Sequence, residues 1–294
     1  MPAHADRLQT PGVWFFTDGM SAAEAAEAAA RIEQLGFSAL WLPETVGRDP
    51  FAHIAFLAEH TDSLILATGI ANIFHRHPGP MKQAANALAE QTGQRFVLGL
   101  GVSHAPLVEG LRKLDYRKPL SQMRTYLEAM DASPYGAVEV EAPPRLLGAL
   151  GPRMLELARD QADGAHPYFT TPEHTRQARE ILGEDKLLCV EQKVVLSTDA
   201  DQAREIANKA IEMYAGLPNY RNNWLRMGLT EADIDQLSDR FIDATFAWGS
   251  ESAIRARLQA HFDAGASHVC IQPVNPNGRM GALHWETLEA LAPR

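Results

Sequence analysis

Short apolar runs alternate with longer amphipathic segments along most of the chain. Eight runs have the length of strands, and they are continuous rather than strictly alternating, which is typical of parallel strands covered on both faces. These runs lie at residues 13–17, 37–43, 64–72, 96–101, 145–150, 164–169, 187–197 and 268–274.

The segments between the runs carry helix signals. Ser21 and Glu24 have the spacing of a capping box, and Gly36 follows the Ala-rich stretch that they open. Three prolines occupy positions typical of a first helical turn: Pro80, Pro152 and Pro172.

Eight strand–helix units in alternation predict an α/β fold, most simply a closed (β/α)8 TIM barrel. An open doubly wound sheet is the alternative, but the first strand and turn, VWFFTDGMS, lack the G-x-G-x-x-G pattern of that fold. Residues 216–245 interrupt the rhythm before the last strand. We predict that they form an insertion with short helices inside a single domain of residues 1–294.

Composition and charge narrow the function classes. The 294 residues are 46 % hydrophobic and 22 % charged, as in an ordinary globular protein, and the net charge of −10 argues against nucleic acid as a partner. No apolar run has the length of a membrane span or of a secretory signal, which favours a cytoplasmic protein. Cys189 and Cys270 lie inside strand-like runs, so we expect buried free thiols and no metal site.

In a (β/α)8 barrel the functional residues lie at the carboxyl ends of the strands. The residues that follow the apolar runs are therefore the candidates, and they include Thr17, Asp18, Glu44, Thr45, residues 72–77, residues 102–104, residues 151–154 and residues 166–171.

Two glycine-containing stretches are candidates for ligand contact. In GPRML (151–155) a glycine enters a helix whose free N–H groups favour an anion, with Arg153 beside them, although the same residues also suit a plain helix start. GLGVSH (99–104) follows a strand and allows a backbone to approach a flat ligand, although glycines also serve tight turns there.

The ionisable candidates each have a functional and a structural interpretation. His75, Arg76 and His77 form either an anion clamp or a solvated loop, and Glu44 is either an acid at the barrel mouth or a helix cap. His104 lies at a strand end and needs no large pKa shift to act as an acid or base near pH 7, but a structural imidazole is the alternative.

Three segments in order, ATGIANIFHRHPGP, QRFVLGLGVSH and GALGPRMLELARDQADGAHPYF, resemble the bacterial-luciferase-like superfamily. They are most similar to its branch that uses coenzyme F420, a deazaflavin, and the resemblance extends from VWFF to CIQP. It implies a TIM barrel with the cofactor at the carboxyl-end mouth, and commonly a homodimer. We expect the dimer contact on the helices of residues 50–60 and 80–91.

The resemblance also implies a set of cofactor contacts. The peptide between Gly69 and Ile70 is expected to be cis and to lie behind the deazaflavin ring, with Glu44 near the ring. Residues 149–154 are expected to hold the cofactor phosphate and residues 101–103 its linker. The full set of expected cofactor-binding residues is Glu44, Gly69, Ile70, Asn72, Gly101, Val102, Ser103, Ala149, Leu150, Gly151, Pro152, Arg153 and Met154.

One departure affects the proton-handling residue. Many members of this branch have a histidine directly after the acid that ends the second strand, whereas this chain has Thr45. We therefore expect His104, or else His166, to handle the proton, with Glu44 in a positioning role. The expected function is hydride transfer between F420 and a small organic substrate; the alternatives are an FMN-dependent monooxygenase and a non-catalytic flavin- or deazaflavin-binding protein.

Overall fold

The computed structural model describes residues 8, 10–277 and 282–293, and ten parallel strands form its sheet. In chain order they are β1 (Gly12–Trp14), β2 (Ala39–Leu42), β3 (Ile65–Thr68), β4 (Ala71–Asn72), β5 (Phe96–Gly101), β6 (Arg145–Leu147), β7 (Gly164–Ala165), β8 (Leu187–Leu196), β9 (Phe246–Gly249) and β10 (His268–Pro273).

Eight of these strands close into a barrel, as predicted. The ring runs β1-β2-β3-β5-β6-β7-β8-β10, and β10 returns to β1 with Cys270 opposite Gly12. Gly12 is required at this closure, because a Cβ atom there would lie 2.6 Å from Nε2 of His268 and 2.9 Å from the carbonyl oxygen of Ala39.

The observed strands differ from the predicted runs in two places. The run 64–72 is split into β3 and β4, since the carbonyl of Gly69 accepts a hydrogen bond from Nε1 of Trp14 and that of Ile70 accepts one from the Glu44 amide, outside the strand ladder. The sequence analysis missed β9, a four-residue strand that pairs with the end of β8 outside the ring.

Helices cover the outside of the barrel. They are α1 (Ala22–Gln34), α2 (Pro50–Ala58), α3 (Pro78–Gln91), α4 (Pro119–Ala132), α5 (Pro152–Gln161), α6 (Pro172–Leu182), α7 (Ala200–Ala215), α8 (Pro218–Arg226), α9 (Glu231–Asp235), α10 (Asp239–Thr245), α11 (Glu251–Asp263) and α12 (Trp285–Leu291), with a π-helix at Pro106–Leu111. None of the described helices is long and apolar enough to cross a membrane.

The helix starts follow the sequence signals with one exception. The Ser21–Glu24 capping box is present, and Pro152 and Pro172 are the first residues of α5 and α6. Helix α3 begins at Pro78 rather than at Pro80, because the side chain of His77 accepts a hydrogen bond from the Gly79 amide and caps the helix two residues earlier.

The predicted insertion consists of α8, α9 and α10. Its apolar side chains form a second hydrophobic cluster together with residues of α7 and with Phe169. Trp224 of α8 is fully buried and contacts Phe169, which follows β7, and Phe241 of α10. Its indole Nε1 donates to the carbonyl of Phe169 at 3.2 Å. The insertion is thereby fixed to the carboxyl-end face of the barrel.

A buried ion pair lies inside the barrel on β8. Nζ of Lys193 is 3.2 Å from Oε1 of Glu191, and it lies 3.7 Å from the ring centroid of Tyr168 and 4.0 Å from that of Phe169. Burial raises the pKa of Glu191 and lowers that of Lys193 to about 8. Each charge is tolerated in this position chiefly because the other is present.

We expect Lys193→Met to lower the free energy of unfolding by about 3–5 kcal/mol, because it leaves the Glu191 carboxylate buried without its partner. Lys209→Met, which removes the exposed Lys209–Glu205 pair of α7, is the matched control and should lower the free energy of unfolding far less, because solvent screens an exposed pair. Urea denaturation of both variants measures the difference. Equal losses would show that the buried pair has no special role in stability.

Candidate active site

A cavity of about 210 Å³ opens at the carboxyl ends of the barrel strands. Its walls come from the residues that follow β1, β2, β3, β5, β6 and β7, and from the end of α7 and the start of α8. Ten of the predicted site residues line it: Glu44, Gly69, Ile70, Gly101, Val102, Ser103, His104, Ala149, Leu150 and His166.

The passage from β3 to β4 forms part of the cavity wall. The peptide between Gly69 and Ile70 is cis, as the resemblance implied. The carbonyl of Gly69 accepts from Nε1 of Trp14 at 2.9 Å, and the carbonyl of Ile70 accepts from the amide of Glu44 at 3.2 Å. The side chain of Trp14 on β1 and the backbone amide of Glu44, just after β2, therefore hold this segment in place.

The side chain of Glu44 is fully engaged by protein groups. Its Oε2 accepts from the Asn72 amide at 2.8 Å, and its Oε1 lies 2.6 Å from Nη1 of Arg76 and 3.2 Å from Nδ1 of His75. Arg76 also pairs with Asp49. The carboxylate thus positions the strand end and the following loop, and its expected place near a cofactor ring stays a prediction.

The same contacts decide between the two interpretations of residues 75–77. Arg76 is bound by two carboxylates and the ring of His77, which is exposed, caps α3. Arg76 is therefore not free to clamp an anion by itself. Asn72 is buried outside the cavity lining, and its side chain bonds His75 and the Phe74 amide. We find a structural turn here.

Gly101 and Gly148 lie next to the side chain of Ile70, so the space beside them is filled by the protein itself and not only by a ligand. A Cβ atom at Gly101 would lie 2.5 Å from Cδ1 of Ile70, and one at Gly148 would lie 3.4 Å from Cγ2 of Ile70. The side chain of Ile70 therefore needs glycine at position 101, whereas the contact at Gly148 is close to an ordinary van der Waals distance. The sequence analysis had assigned the glycines after β5 to ligand approach or to a tight turn.

His104 lies at the mouth of the cavity, and its imidazole packs against Tyr220 with 5.1 Å between ring centroids. Its buried Nδ1 has no hydrogen-bond partner among the described residues. Burial lowers the pKa of His104 to about 4. The expectation that it acts near pH 7 without a large pKa shift is therefore wrong, and the ring is neutral at that pH.

His166 lies deeper, stacked on Trp41 with 4.3 Å between ring centroids. Its Nδ1 donates to the carbonyl of Cys189 at 2.8 Å, which leaves Nε2 as a lone-pair acceptor, and no described residue bonds that atom. Burial lowers the pKa of His166 to about 4. Like His104, it is an uncharged hydrogen-bonding group at neutral pH.

The predicted phosphate region adjoins the cavity at the start of α5. Ala149 and Leu150 line the cavity, whereas Gly151, Pro152, Arg153 and Met154 lie beyond its wall. Gly151 is the N-cap of α5 and supplies no side-chain cap, so the first N–H groups of the helix are available to an anion.

Two arginines lie near this helix start. Arg153 is exposed and makes no ion pair within the described ranges. Arg226, from the end of α8, reaches the same place, because its Nη2 lies 3.4 Å from where a Cβ of Gly151 would be. It donates to Oδ1 of Asn223 and pairs with no carboxylate among the described residues. The sequence analysis missed Arg226, because only the packing of the insertion brings it to α5.

The insertion also contributes residues to the cavity wall, among them Asn219 and Tyr220. The polar and aromatic residues of NYRNNW (219–224) pointed to this segment. From the sequence alone, however, it could either cover a pocket or lie on the surface. Nδ2 of Asn219 donates to the carbonyl of Ser103 and to Oη of Tyr116, both at 3.2 Å. This contact joins the start of α8 to the loop after β5.

No group of three or more His, Cys, Asp or Glu side chains in the described ranges has an arrangement that could hold a metal ion. The cavity has aromatic walls and lies at the barrel mouth, next to a helix start with two arginines that pair with no described carboxylate. This arrangement suits an anionic organic ligand with a flat ring.

Comparison with known proteins identifies the family. A family model described as luciferase-like monooxygenase matches residues 2–268. The chain belongs to this family. A putative coenzyme F420-dependent oxidoreductase of Mycobacterium tuberculosis is 26% identical over 265 residues, which cover 74% of this chain and 76% of that protein.

Two solved structures share the fold. The coenzyme F420-dependent tetrahydromethanopterin reductase of Methanopyrus kandleri has a TM-score of 0.73 at 16% identity, covering 96% of this chain and 97% of its own. The oxygenating constituent of 3,6-diketocamphane monooxygenase of Pseudomonas putida, solved with FMN, has a TM-score of 0.69 at 14% identity, covering 97% and 96%. Both likenesses show the barrel alone.

The buried neutral histidines make stability depend on pH. Below pH 6.5 the unfolded chain protonates His166, whereas the folded chain does not until about pH 4. The free energy of unfolding should therefore fall as the pH is lowered from about 6.5 towards 4. Urea denaturation between about pH 7 and pH 4.5 measures the slope.

We expect His166→Gln to flatten this slope, because it removes one of the groups that the unfolded state protonates first. His60→Gln, at an exposed histidine just after α2, is the control and should change the slope less than His166→Gln does. A parent slope retained in full by the His166 variant would contradict the assignment.

Proposed function

We propose that this luciferase-like protein is an F420-dependent oxidoreductase, which passes a hydride between C5 of the deazaflavin and a small organic substrate. The observation that carries the proposal is that the aromatic cavity adjoins the start of α5, where Arg153 and Arg226 pair with no carboxylate in the part of the chain that the structure describes. The similarity to a putative F420-dependent oxidoreductase and the shared fold of an F420-dependent reductase support the choice of cofactor.

The residues present fit such a cofactor. Trp14 and Tyr168 offer flat apolar walls, and the N–H groups at the start of α5 together with the two arginines offer a site for the phosphate. Residues 101–103 lie along the cavity between the β3–β4 segment and α8, where a linker would pass. When bound, the deazaflavin supplies the hydride chemistry.

The protein's own contribution is orientation and exclusion of water. The apolar walls desolvate a ligand, while the neutral rings of His104 and His166 offer hydrogen bonds without charge. Glu44 and Trp14 hold the β3–β4 segment in place and so fix one wall of the cavity. These side chains favour one geometry of ring and substrate over others.

An FMN-dependent monooxygenase is the second candidate, favoured by the FMN that the 3,6-diketocamphane monooxygenase component binds on the same fold. Titration of the purified protein with F420 and with FMN, each followed by its fluorescence, separates the two. Tighter binding of F420 supports the first proposal, and tighter binding of FMN supports the second.

We expect Gly151→Val, Arg153→Ala and Arg226→Ala to weaken F420 binding. The valine would fill the space at the start of α5, and each alanine removes a charge-assisted contact to phosphate of about 1.5–3 kcal/mol, or roughly ten- to a hundredfold in Kd. Fluorescence titration gives the Kd values.

Arg159→Ala is the matched control, because Arg159 lies in the last turn of the same helix and pairs with Asp160. It should bind F420 as the parent does. Parent-like affinity in all three of the first variants would place the phosphate elsewhere.

We also propose a homodimer that uses α2 and α3. Phe56 of α2 is 37% exposed, a large apolar side chain on the outer face of the helix. Phe56→Glu should shift the protein towards the monomer in light scattering at micromolar concentration, since a charge would be buried in the interface. Val138→Glu, at an exposed apolar residue outside both helices, should not do so. A monomeric parent protein would refute the proposal.

A further inference from the structure

His166 leaves one buried nitrogen without a partner at the cavity wall. The side chain is 2% exposed and lines the cavity. Its Nδ1 is bonded to the carbonyl of Cys189, which can only accept, so Nδ1 carries the proton and Nε2 holds a lone pair. Nε2 bonds no described residue, and it lies 3.1 Å from where a Cβ atom of Gly69 would be. A buried acceptor of this kind is costly unless a donor completes it.

A second acceptor at the cavity is fixed by a chain of hydrogen bonds. The chain begins at Lys193, whose ammonium has no lone pair, so the amide oxygen of Gln272, 3.1 Å from Nζ, must face it. The same oxygen accepts the hydroxyl proton of Tyr168 at 2.8 Å. Since Tyr168 has no other hydroxyl proton, the hydroxyl of Tyr214, 2.9 Å away, donates to it.

The oxygen of Tyr214 therefore has only lone pairs left to offer. Tyr214 is 9% exposed and lines the cavity together with Tyr168. Burial raises the pKa of Tyr214 to about 12, so the oxygen carries no charge at neutral pH. We call Nε2 of His166 and Oη of Tyr214 the acceptor pair. A carbonyl or carboxylate oxygen would face them with further lone pairs and gain no hydrogen bond.

The rings around the acceptor pair favour a flat ligand. The ring centroids of Trp14 and Tyr168 are 4.8 Å apart, and both residues line the cavity. Phe16, whose centroid is 4.9 Å from that of Trp14, lines it as well. Walls of this kind suit planar apolar faces.

A ring N–H group matches the acceptor pair better than a hydroxyl group does. The lone pair of such a nitrogen is delocalised into the ring, so the group only donates, as the indole of tryptophan does. A hydroxyl oxygen would bring two lone pairs towards the acceptors.

We propose that the acceptor pair binds the N–H edge of an uncharged, flat nitrogen heterocycle. Lys193 and Gln272 are positioning residues, which act through Tyr168 to keep the proton of Tyr214 turned away from the ligand. This inference goes beyond the function proposed above and does not rest on it. In a cofactor-dependent enzyme the heterocycle belongs either to the cofactor or to the substrate, and the test distinguishes the two sources.

Indole and benzofuran are the probes, because they have nearly the same shape and only indole has an N–H group. NMR titration of the protein without cofactor gives their Kd values. We expect the parent to bind indole about tenfold more tightly, since benzofuran leaves the acceptors unpaired. The control is Tyr126→Phe, which should keep this preference. Tyr126 is similarly buried, but its hydroxyl donates to the carbonyl of Arg76 outside the cavity.

The double variant His166→Phe/Tyr214→Phe should lose the preference for indole, with the Kd of benzofuran nearly unchanged. A preference that persists in the double variant would overturn the inference, and so would a parent that binds neither probe or binds both equally. If the double variant does not fold, the single variants decide. Loss of the preference in either one supports the inference, and its retention in both overturns it.

Gln272→Met tests the positioning role with quinoline, whose ring nitrogen only accepts. Without the amide oxygen, Tyr168 can turn its proton towards Tyr214, and Tyr214 can then donate into the cavity. We expect this variant to bind quinoline several-fold more tightly than the parent does. A purely structural role would weaken the binding of all three probes alike, and that result would refute the assignment of Gln272.

Repeating the indole titration with F420 in excess identifies the source of the N–H group. Displacement of indole by F420 assigns the acceptor pair to the ring of the cofactor. Binding of indole beside F420, with the same dependence on His166 and Tyr214, assigns it to the substrate. If F420 does not bind at all, the function proposed above is wrong, whereas the indole result for the acceptor pair stands.

Discussion

Glu44 holds the segment that joins β3 to β4 with both its backbone and its side chain. Its amide binds the carbonyl of Ile70, and its carboxylate binds the amide of Asn72 and the guanidinium of Arg76. Ile70, held in this way, packs into space that only glycine leaves free at Gly101. One carboxylate at the end of β2 therefore determines the course of the neighbouring strand, and through it the wall of the cavity.

Much of the fold could be predicted because its signals are local. Continuous apolar runs predicted buried parallel strands, and Ser21 with Glu24 predicted the start of a helix. From these elements the barrel could be predicted, and with it the end of the barrel that holds the candidate site. The candidate residues at the strand ends did converge, since parallel strands bring their carboxyl ends to one face.

The contacts inside the candidate site could not be predicted, because they join residues that are far apart in the sequence. The partners of Glu44 lie 28 and 32 residues away, and Asn219 meets Ser103 across 116 residues. The low pKa of His104 arises from its burial, which the sequence GLGVSH does not show. From the sequence these side chains could be placed at one face of the barrel. The sequence did not show which of them form hydrogen bonds and ion pairs with each other and are therefore unavailable to a ligand.

Helix α8 links the two halves of the candidate site. Its first turn carries Asn219 and Tyr220 to the cavity, and its last residue, Arg226, reaches the start of α5. These positions are six residues apart, or about 9 Å along a helix, so one rigid element would contact both the substrate and the cofactor phosphate. Under the function proposed above, the insertion, which interrupts the strand–helix pattern of the sequence, would set the distance between the two ligands.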